Sequence, residues 1–422
     1  MYCARLIVSL QSFFDADEMK RLMVIVLCGS LALGVSAQLN VQQMADSIVK
    51  YQMKSGGWPK NQDWLKGVDP KEARMWLKGI GSTIDNGATT KEMETLAQAV
   101  ERLDRVVAEN SRWLDKEVAS ETREKYCTAF VKGVEFLLKM QYKNGGFPQF
   151  YPLKKVEDYS SQITFNDNAM VNALKMLRDV AMDAERFRCM GVEKSMKKKC
   201  LEAYERGLQC VLDCQIRVDE SGKVLEYGTE AWKSGRRTVW CSQHDKETLA
   251  PVKARAYELP SYTGNGETCG ILNLLMDVEN PSEEVKEAVK CGVEWLEAHV
   301  MKDVVVERFT NEEGQKDIRL LERKGADPLW ARFYDLERGE PMFCDRDGVP
   351  RKKLSEVGYE RRNGYSWVGD GPKRVIERFR KLKVKNLYGV KEVRGVKGVR
   401  AVCFVQQMDN RLSLHPAWWY RL

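Results

Sequence analysis

A turn cassette that occurs twice constrains this chain more than any single residue does. Met53-Lys54-Ser55-Gly56-Gly57-Trp58-Pro59-Lys60 returns as Tyr142-Lys143-Asn144-Gly145-Gly146-Phe147-Pro148-Gln149. Each copy follows an apolar helical run and is preceded by a glutamine, Gln52 or Gln141. A second cassette recurs in step with the first. Ile84-Asp85-Asn86-Gly87-Ala88-Thr89 and Asn166-Asp167-Asn168-Ala169-Met170 each open a helical run. Self-similarity on this scale marks one supersecondary unit used repeatedly, and it bears on the architecture before any local motif does. The unit reads helix, Gly-Gly-aromatic-Pro turn, loop, and an Asp-Asn pair at the mouth of the next helix.

Helical periodicity fills most of the remaining chain. Glu92 to Trp113 places Met93, Leu96, Ala97, Val100, Leu103 and Val107 on one stripe, and Tyr126 to Met140 does the same through Phe130, Val134, Leu137 and Leu138. Further helices are expected over Asn168 to Phe187, Lys194 to Ile216, Thr268 to Asp277 and Glu284 to Met301, with Pro281-Ser282-Glu283-Glu284 as a start signal. Strand-like stretches are short: Val224 to Tyr227, Thr238 to Cys241 and Val304 to Phe309. The expectation is an all-α body with long loops, Asn61 to Thr83, Gly145 to Thr164, Ser221 to Tyr262 and Arg323 to Asp370. Loops of that length usually carry function. Pro260 to Gly266, followed by Glu267, makes a third helix mouth. Three hairpins closing on themselves would form an (α/α)3 toroid with minor β segments. The competing architecture is an irregular bundle whose Gly-Gly turns only cap helices.

The N-terminus reads as an export signal. Met19-Lys20-Arg21 is basic, Leu22 to Leu33 is apolar, and Val35-Ser36-Ala37 offers a small-residue cleavage site. Residues 1–18 then look like an over-long start, 19–37 the signal, 38–385 the working domain and 386–422 a basic, aromatic tail. The apolar run is too short to span a membrane. The expected mature protein is soluble, monomeric and exported, periplasmic or extracellular. Its ten cysteines are scattered without a CxxC pair, which argues against a zinc ribbon and favours buried thiols over a disulfide framework. The net charge of +7 misleads, because Lys373 to Arg400 alone holds eleven Lys/Arg against Glu377 and Glu392. The rest is near neutral, so the pI does not point to nucleic acid.

Asp85-Asn86 and Asp167 with Asn168 offer hard oxygen donors that suit calcium. Asp and Asn are also preferred helix N-caps, so either pair alone reads as capping. Two matching copies bring the two readings level. Arg255, Arg332 and Arg346 sit among loop aromatics, and guanidinium forks bind carboxylates in a bidentate manner. Together they read as a groove for an acidic polysaccharide, although flanking Asp345 and Asp347 make a structural ion pair the simpler reading of Arg346. His244, His299 and His415 form no nucleophile motif, and no phosphate or dinucleotide fingerprint appears.

Seven segments in order, Gly56 to Lys60, Thr83 to Thr89, Gly145 to Gln149, Ile163 to Asp167, Ala254 to Pro260, Trp330 to Tyr334 and Arg361 to Trp367, resemble the family-10 pectate lyases over about residues 41–385. The resemblance implies the (α/α)3 toroid and cleavage of polygalacturonate by calcium-assisted β-elimination. Carried over, Arg255 is similar to the family's arginine base. Asp167 and Asp85, with Asn86, are similar to the groups at the calcium and substrate centre. Arg332 and Arg346, with Lys60, resemble the cations that hold uronate carboxylates. An arginine base needs its pKa lowered from above about 12, which burial beside other cations would do. Two other functions compete: an α/α-toroid glycoside hydrolase using Asp85 and Asp167, and a non-catalytic acidic-glycan binding protein.

Overall fold

The computed structural model describes residues 40–69, 71, 81–109, 116–153 and 158–387. The expected export signal and nearly all of the expected basic tail lie outside the described residues. The main helices are α1 (residues 40–50), α2 (Thr90–Ala108), α3 (Lys116–Met140), α4 (Ala169–Ala181), α5 (Lys194–Asp213), α6 (Glu267–Met276), α7 (Glu283–Ala298) and α8 (Gly371–Leu387). Helix α8 runs across the boundary expected at 385.

Three consecutive hairpins pack side by side. Helix α2 lies on α3, α4 on α5 and α6 on α7, while α4 also touches α2 and α6, and α5 touches α3 and α7. The burial patterns show which row is inside. Helix α4 buries Ala169, Met170, Val171, Ala173, Leu174, Met176, Leu177 and Val180, almost its full circumference. Helix α5 buries a single stripe from Cys200 to Leu212. Each large apolar side chain so buried stabilises the fold by about 1.5–3 kcal/mol. Helix α4 stops short of the expected Phe187 because the backbone turns left-handed at Asp183, φ 54°.

The repeat is written in hydrogen bonds, and it occurs three times rather than twice. Gln52 Nε2 donates to the carbonyls of Gly56 and Ala129, both at 2.8 Å. Gln141 Nε2 donates to Gly145 (3.0 Å) and Ala203 (2.8 Å). Gln215 Nε2 donates to Thr238 (2.8 Å) and Ala288 (2.9 Å). In the third copy an excursion through residues 217–237 replaces the Gly-Gly turn. It pairs Arg217–Val218 with Arg236–Arg237, and the Arg217 guanidinium stacks 3.6 Å from the Trp232 ring. The aromatic that follows recurs as Trp58, Phe147 and Trp240. Its carbonyl accepts from Thr83 (3.0 Å), Thr164 (3.0 Å) and Thr263 (2.9 Å), respectively. Four residues beyond each alanine contact, Gly133, Gly207 and Gly292 let α3, α5 and α7 approach Met93, Leu174 and Leu272.

Two strand expectations fail. Val224 forms only an isolated bridge with Val218, and Thr238 to Cys241 is irregular backbone, its hydrogen bonds being spent on holding the repeat together. The third, Val304–Thr310, pairs with Lys316–Glu322 as a hairpin. The expected loop 323–370 instead carries strands. Pro350–Arg351, Pro341–Cys344, Phe333–Tyr334 and Tyr262–Thr263 form an antiparallel sheet in that order, with Tyr262 opposite Tyr334 and Thr263 opposite Phe333. This sheet clamps the 330s segment onto the third helix mouth. A second small core of Tyr257, Phe333, Phe343, Leu354, Val357 and Trp367 lies beneath it. Cys127, Cys189, Cys200, Cys210, Cys214, Cys241, Cys269, Cys291 and Cys344 are free thiols. Among the described residues no helix is long and apolar enough to cross a membrane.

Candidate active site

The mouths of α2, α4 and α6 share one backbone design. Ile84, Phe165 and Gly264 each donate an amide to the carbonyl of Gln149 (3.2 Å), Ser242 (2.8 Å) and Arg332 (3.0 Å). Two residues later the chain is left-handed in every copy: Asn86 at φ 54°, Asp167 at φ 50° and Gly266 at φ 87°. Matching by letters aligned Asp85 with Asp167, but the hydrogen bonds align Asp85 with Asn166 and Asn86 with Asp167. The two acids are therefore one step out of register. Asp85 takes the inward position, buried like Asn166, whereas Asp167 takes the outward one, exposed like Asn86.

The simple capping reading also fails. Helices α2 and α4 begin at Thr89 and Asn168 without any side-chain cap hydrogen bond. The 3-10 turns Asp85–Gly87 and Asn166–Asn168 instead pack against each other.

Cations reach these mouths from matching positions. Lys60, Gln149, Ser242 and Arg332 each stand two residues after the repeated aromatic, Trp58, Phe147, Trp240 or Trp330. The indoles of Trp58, Trp240 and Trp330 are anchored at 2.7 Å to carbonyls of Ile48, Val211 and Leu296. Lys60 Nζ consequently meets Asp85 Oδ2 at 2.5 Å. Arg332 Nη2 donates to Glu267 Oε1 and lies 3.8 Å from Asp167 Oδ1. Glu267 is 2 % exposed, and its Oε2, with Asn168 Oδ1 and Arg332 Nε, is buried without a hydrogen-bond partner among the described residues. A cavity of about 130 Å³ opens between Asp167, Asn168, Asn265, Glu267, Arg332 and Ser366. Burial raises the Glu267 carboxyl against the pull of Arg332. Burial works to lower Arg332, but the charge and hydrogen bond of Glu267, with Tyr365 and Asp167, together outweigh it and hold the guanidinium above its usual value.

Arg255 sits in the same neighbourhood, as a second arginine on a buried glutamate. Its Nε and Nη2 each donate at 2.8 Å to Glu258 Oε2 and Oε1, and Glu258 is 1 % exposed. Tyr365 ties the two arginines together. Its hydroxyl donates to Glu258 Oε1 at 2.8 Å, and its ring lies 4.6 Å from the Arg332 guanidinium. Asn166 Nδ2, at the second mouth, lies 3.5 Å from Glu258 Oε1, which joins the Arg255 loop to the mouths. The protein's own groups do not give Arg255 the lowered pKa expected for it beside calcium and other arginines. Burial pulls it down, but the hydrogen bonds and charge of Glu258 prevail and push it up.

Arg346 stands apart on the rim. Its guanidinium pairs with Glu360 through 2.9 and 3.0 Å contacts, while its backbone amide donates to Asp345 Oδ1 at 2.7 Å, and it approaches the cluster at the Tyr257 ring, 5.8 Å away. Arg361, buried and 4.4 Å from the same ring, lies nearer. His244 is a structural clamp. It bridges the Leu249 carbonyl (2.8 Å) and the Cys241 amide (3.0 Å), and burial lowers its pKa to about 4. Sequence reasoning singled out Lys60, Asp85, Asn86, Asp167, Arg255 and Arg332, but not Glu258, Tyr365 or Arg361. It noted Glu267 only as an acid near the third mouth.

A family model described as pectic acid lyase matches residues 52–376. Two solved structures are similar, both of the family 10 polysaccharide lyase from Cellvibrio cellulosa. One has TM-score 0.63 and 30 % identity, covering 82 % of this chain and 95 % of that one. The other, an aspartate-to-alanine mutant in complex with trigalacturonic acid, has TM-score 0.62 and 30 % identity, covering 82 % and 96 %. No curated protein matches.

Proposed function

This chain belongs to the pectic acid lyase family, and from that premise we propose that it is a calcium-assisted pectate lyase, cleaving polygalacturonate by β-elimination to unsaturated oligogalacturonides. The observation that carries the reading is the meeting of Arg255, Arg332, Lys60, Asp85 and Asp167 from five separate segments at adjacent helix mouths. The side-by-side hairpins and the threefold hydrogen-bond repeat support closure as an (α/α)3 toroid. An exported, monomeric enzyme is the matching cellular setting.

Arg332 has one nitrogen committed to Glu267 and lines the Asp167 cavity, which suits its guanidinium to meet a uronate carboxylate there. Arg255, once its guanidinium has given up a proton to an alkaline medium, takes the proton from C5, the C5–H electron pair becomes the C4=C5 double bond, and the C4–O4 bond breaks with its pair on oxygen, which picks up a proton from solvent. Lys60 neutralises Asp85 and offers its remaining N–H donors to a neighbouring sugar. Asp167 and Asp85, with Asn86, are the residues that would hold calcium. The donor set fits, being hard oxygens on two packed turns, with Asn86 donating its amide N–H to Asn61 at 2.9 Å and keeping its own oxygen available. These oxygens are fewer than the six to eight that calcium takes, so substrate and water complete the shell. Bound calcium would withdraw charge from the uronate carboxylate and stabilise the enolate-like intermediate.

The hydrolase alternative needs one carboxylic acid and one free carboxylate. Here Asp85, Glu258 and Glu267 each have their own cation. The test is incubation with polygalacturonate, following absorbance of the new double bond. The wild type should form it, and chelation should slow it at least about a hundredfold. Arg255→Ala should form none while keeping its fold. Full activity in that variant would remove Arg255 as the base, and binding without chain shortening in the wild type would leave only a glycan-binding protein.

A further inference from the structure

Lys60, Arg255, Arg332 and Arg346 each have an acid of their own, Asp85, Glu258, Glu267 and Glu360. Lys91 does not. It stands in the first turn of α2, just beyond the first mouth, and is exposed. Its Nζ donates to the Asn86 carbonyl at 2.9 Å. Among the described residues it forms no ion pair. Glu92, the next residue, turns into the core, where its Oε1 accepts from Trp64 Nε1 at 3.0 Å. An ammonium has three donors, so two N–H groups of Lys91 are left for another acceptor. The side chain is nevertheless held in place. Asn86 and Gly87 are both left-handed, at φ 54° and 75°. Lys91 lies across Gly87, where a Cβ would sit 2.8 Å from Lys91 Cε and 3.3 Å from its Cδ and Nζ. The Asp85–Gly87 turn packs in turn on Asn166–Asn168. The ammonium is thereby fixed at the mouth next to Asp167.

We propose that Lys91 binds a substrate carboxylate, that of a galacturonate unit neighbouring the one seated at Arg332 and Asp167. The proposal rests on the proposed lyase reading, in which polygalacturonate lies across the helix mouths. That polymer carries a carboxylate on every sugar, so a chain crossing adjacent mouths brings its anions past adjacent cations in turn. Lys91 holds a sugar whose own bond is not the one that breaks, and it takes no part in proton transfer.

Stability alone does not ask for a cation at this position. The first turn of a helix is the positive end of its dipole, which favours acids and opposes a lysine. The bond to the Asn86 carbonyl is exposed, so water can replace it at little cost to the fold. A residue kept against local preference, without a compensating structural gain, points to function. Lys60, the other cation of this mouth, is committed to Asp85 at 2.5 Å, and their charges cancel. Lys91 is therefore the first mouth's spare positive charge among the described residues.

The experiment is steady-state kinetics on polygalacturonate, read as unsaturated product, for wild type, Lys91→Met and Lys91→Arg at low and high salt, with thermal unfolding of each. Met keeps an unbranched stem over Gly87 and removes the charge. Its KM at low salt should rise about tenfold, the loss of one exposed charge-assisted contact. Its kcat should stay within about twofold, because a sugar away from the broken bond is held equally before and during the reaction. Salt should shrink the wild type's advantage by screening the contact. The Met variant's unfolding midpoint should equal or exceed that of the wild type, since the cation no longer opposes the dipole. Arg restores the charge and should keep KM within about threefold of the wild type. A Met KM unmoved from the wild type's, an advantage indifferent to salt, or an Arg KM as high as that of Met overturns the proposal. So does a Met midpoint that falls together with kcat, which would make Lys91 a prop of the turn. A wild type that forms no unsaturated product refutes the lyase reading and this proposal with it, whereas an active wild type beside an unmoved Met KM refutes only the role of Lys91.

Discussion

Arg332 is the most constrained residue at the site. It lies between Asp167 and buried Glu267, with Tyr365 against its face. Removing one partner of a buried pair leaves an uncompensated charge, so Arg332→Ala should lose about 3–5 kcal/mol of stability at neutral pH. Urea unfolding would check it. Glu267 is pushed up by burial, and without Arg332 it rises further. Its protonated form then favours the folded state, so the variant's deficit should shrink as pH falls towards the unfolded glutamate value near about 4.3 and grow again as pH rises through the folded one. A deficit indifferent to pH would show that Glu267 is not the charge left behind. At this scale the cations and the mouth acids were legible from residue type and neighbours. Glu258 was not, because an Arg-x-x-Glu pair in a loop reads as a surface contact until burial is known. The lowered pKa expected for Arg255 counted neighbouring cations and missed the anion for the same reason.

At the scale of the element, the Gly-Gly turns are keys cut for one lock. Gly145 is left-handed at φ 91°, and a Cβ there would sit 2.1 Å from the Arg206 carbonyl oxygen of α5. Gly56 repeats this against Lys132 of α3 at 2.3 Å. Backbone cannot move aside cheaply, so Gly145→Ala should cost about 3 kcal/mol or more. Gly67 is also left-handed, at φ 84°, but faces open space. Gly67→Ala should cost only about 1 kcal/mol, the backbone strain alone. Equal losses in thermal unfolding would mean the turns are ordinary caps. Two of the three turns were legible because their letters match. The third was not, because 217–237 displaces it and only Gln215 and Trp240 survive as markers. The one-residue offset between Asp85 and Asp167 was invisible for a related reason: backbone hydrogen bonds fix the register, while identical letters suggested another.

On the scale of the whole molecule, helical hairpins were readable from periodicity, whereas the 323–370 segment read as loop although it supplies the sheet that presents Arg332. Its strands are two to four residues long, too short for alternation to register. The assembled site balances its charges pair by pair, Lys60 with Asp85, Arg255 with Glu258, Arg332 with Glu267. Such a site has little spare positive charge for a polyanion, which is why the proposal needs a divalent cation beside the uronate. The most direct test of β-elimination is the mass of the products when polygalacturonate is digested in isotopically heavy water. Elimination yields pairs of fragments whose masses sum to the parent, the new non-reducing end lighter by one water and free of heavy oxygen. Fragments that together gain one water and carry the heavy isotope would contradict it and make the protein a hydrolase.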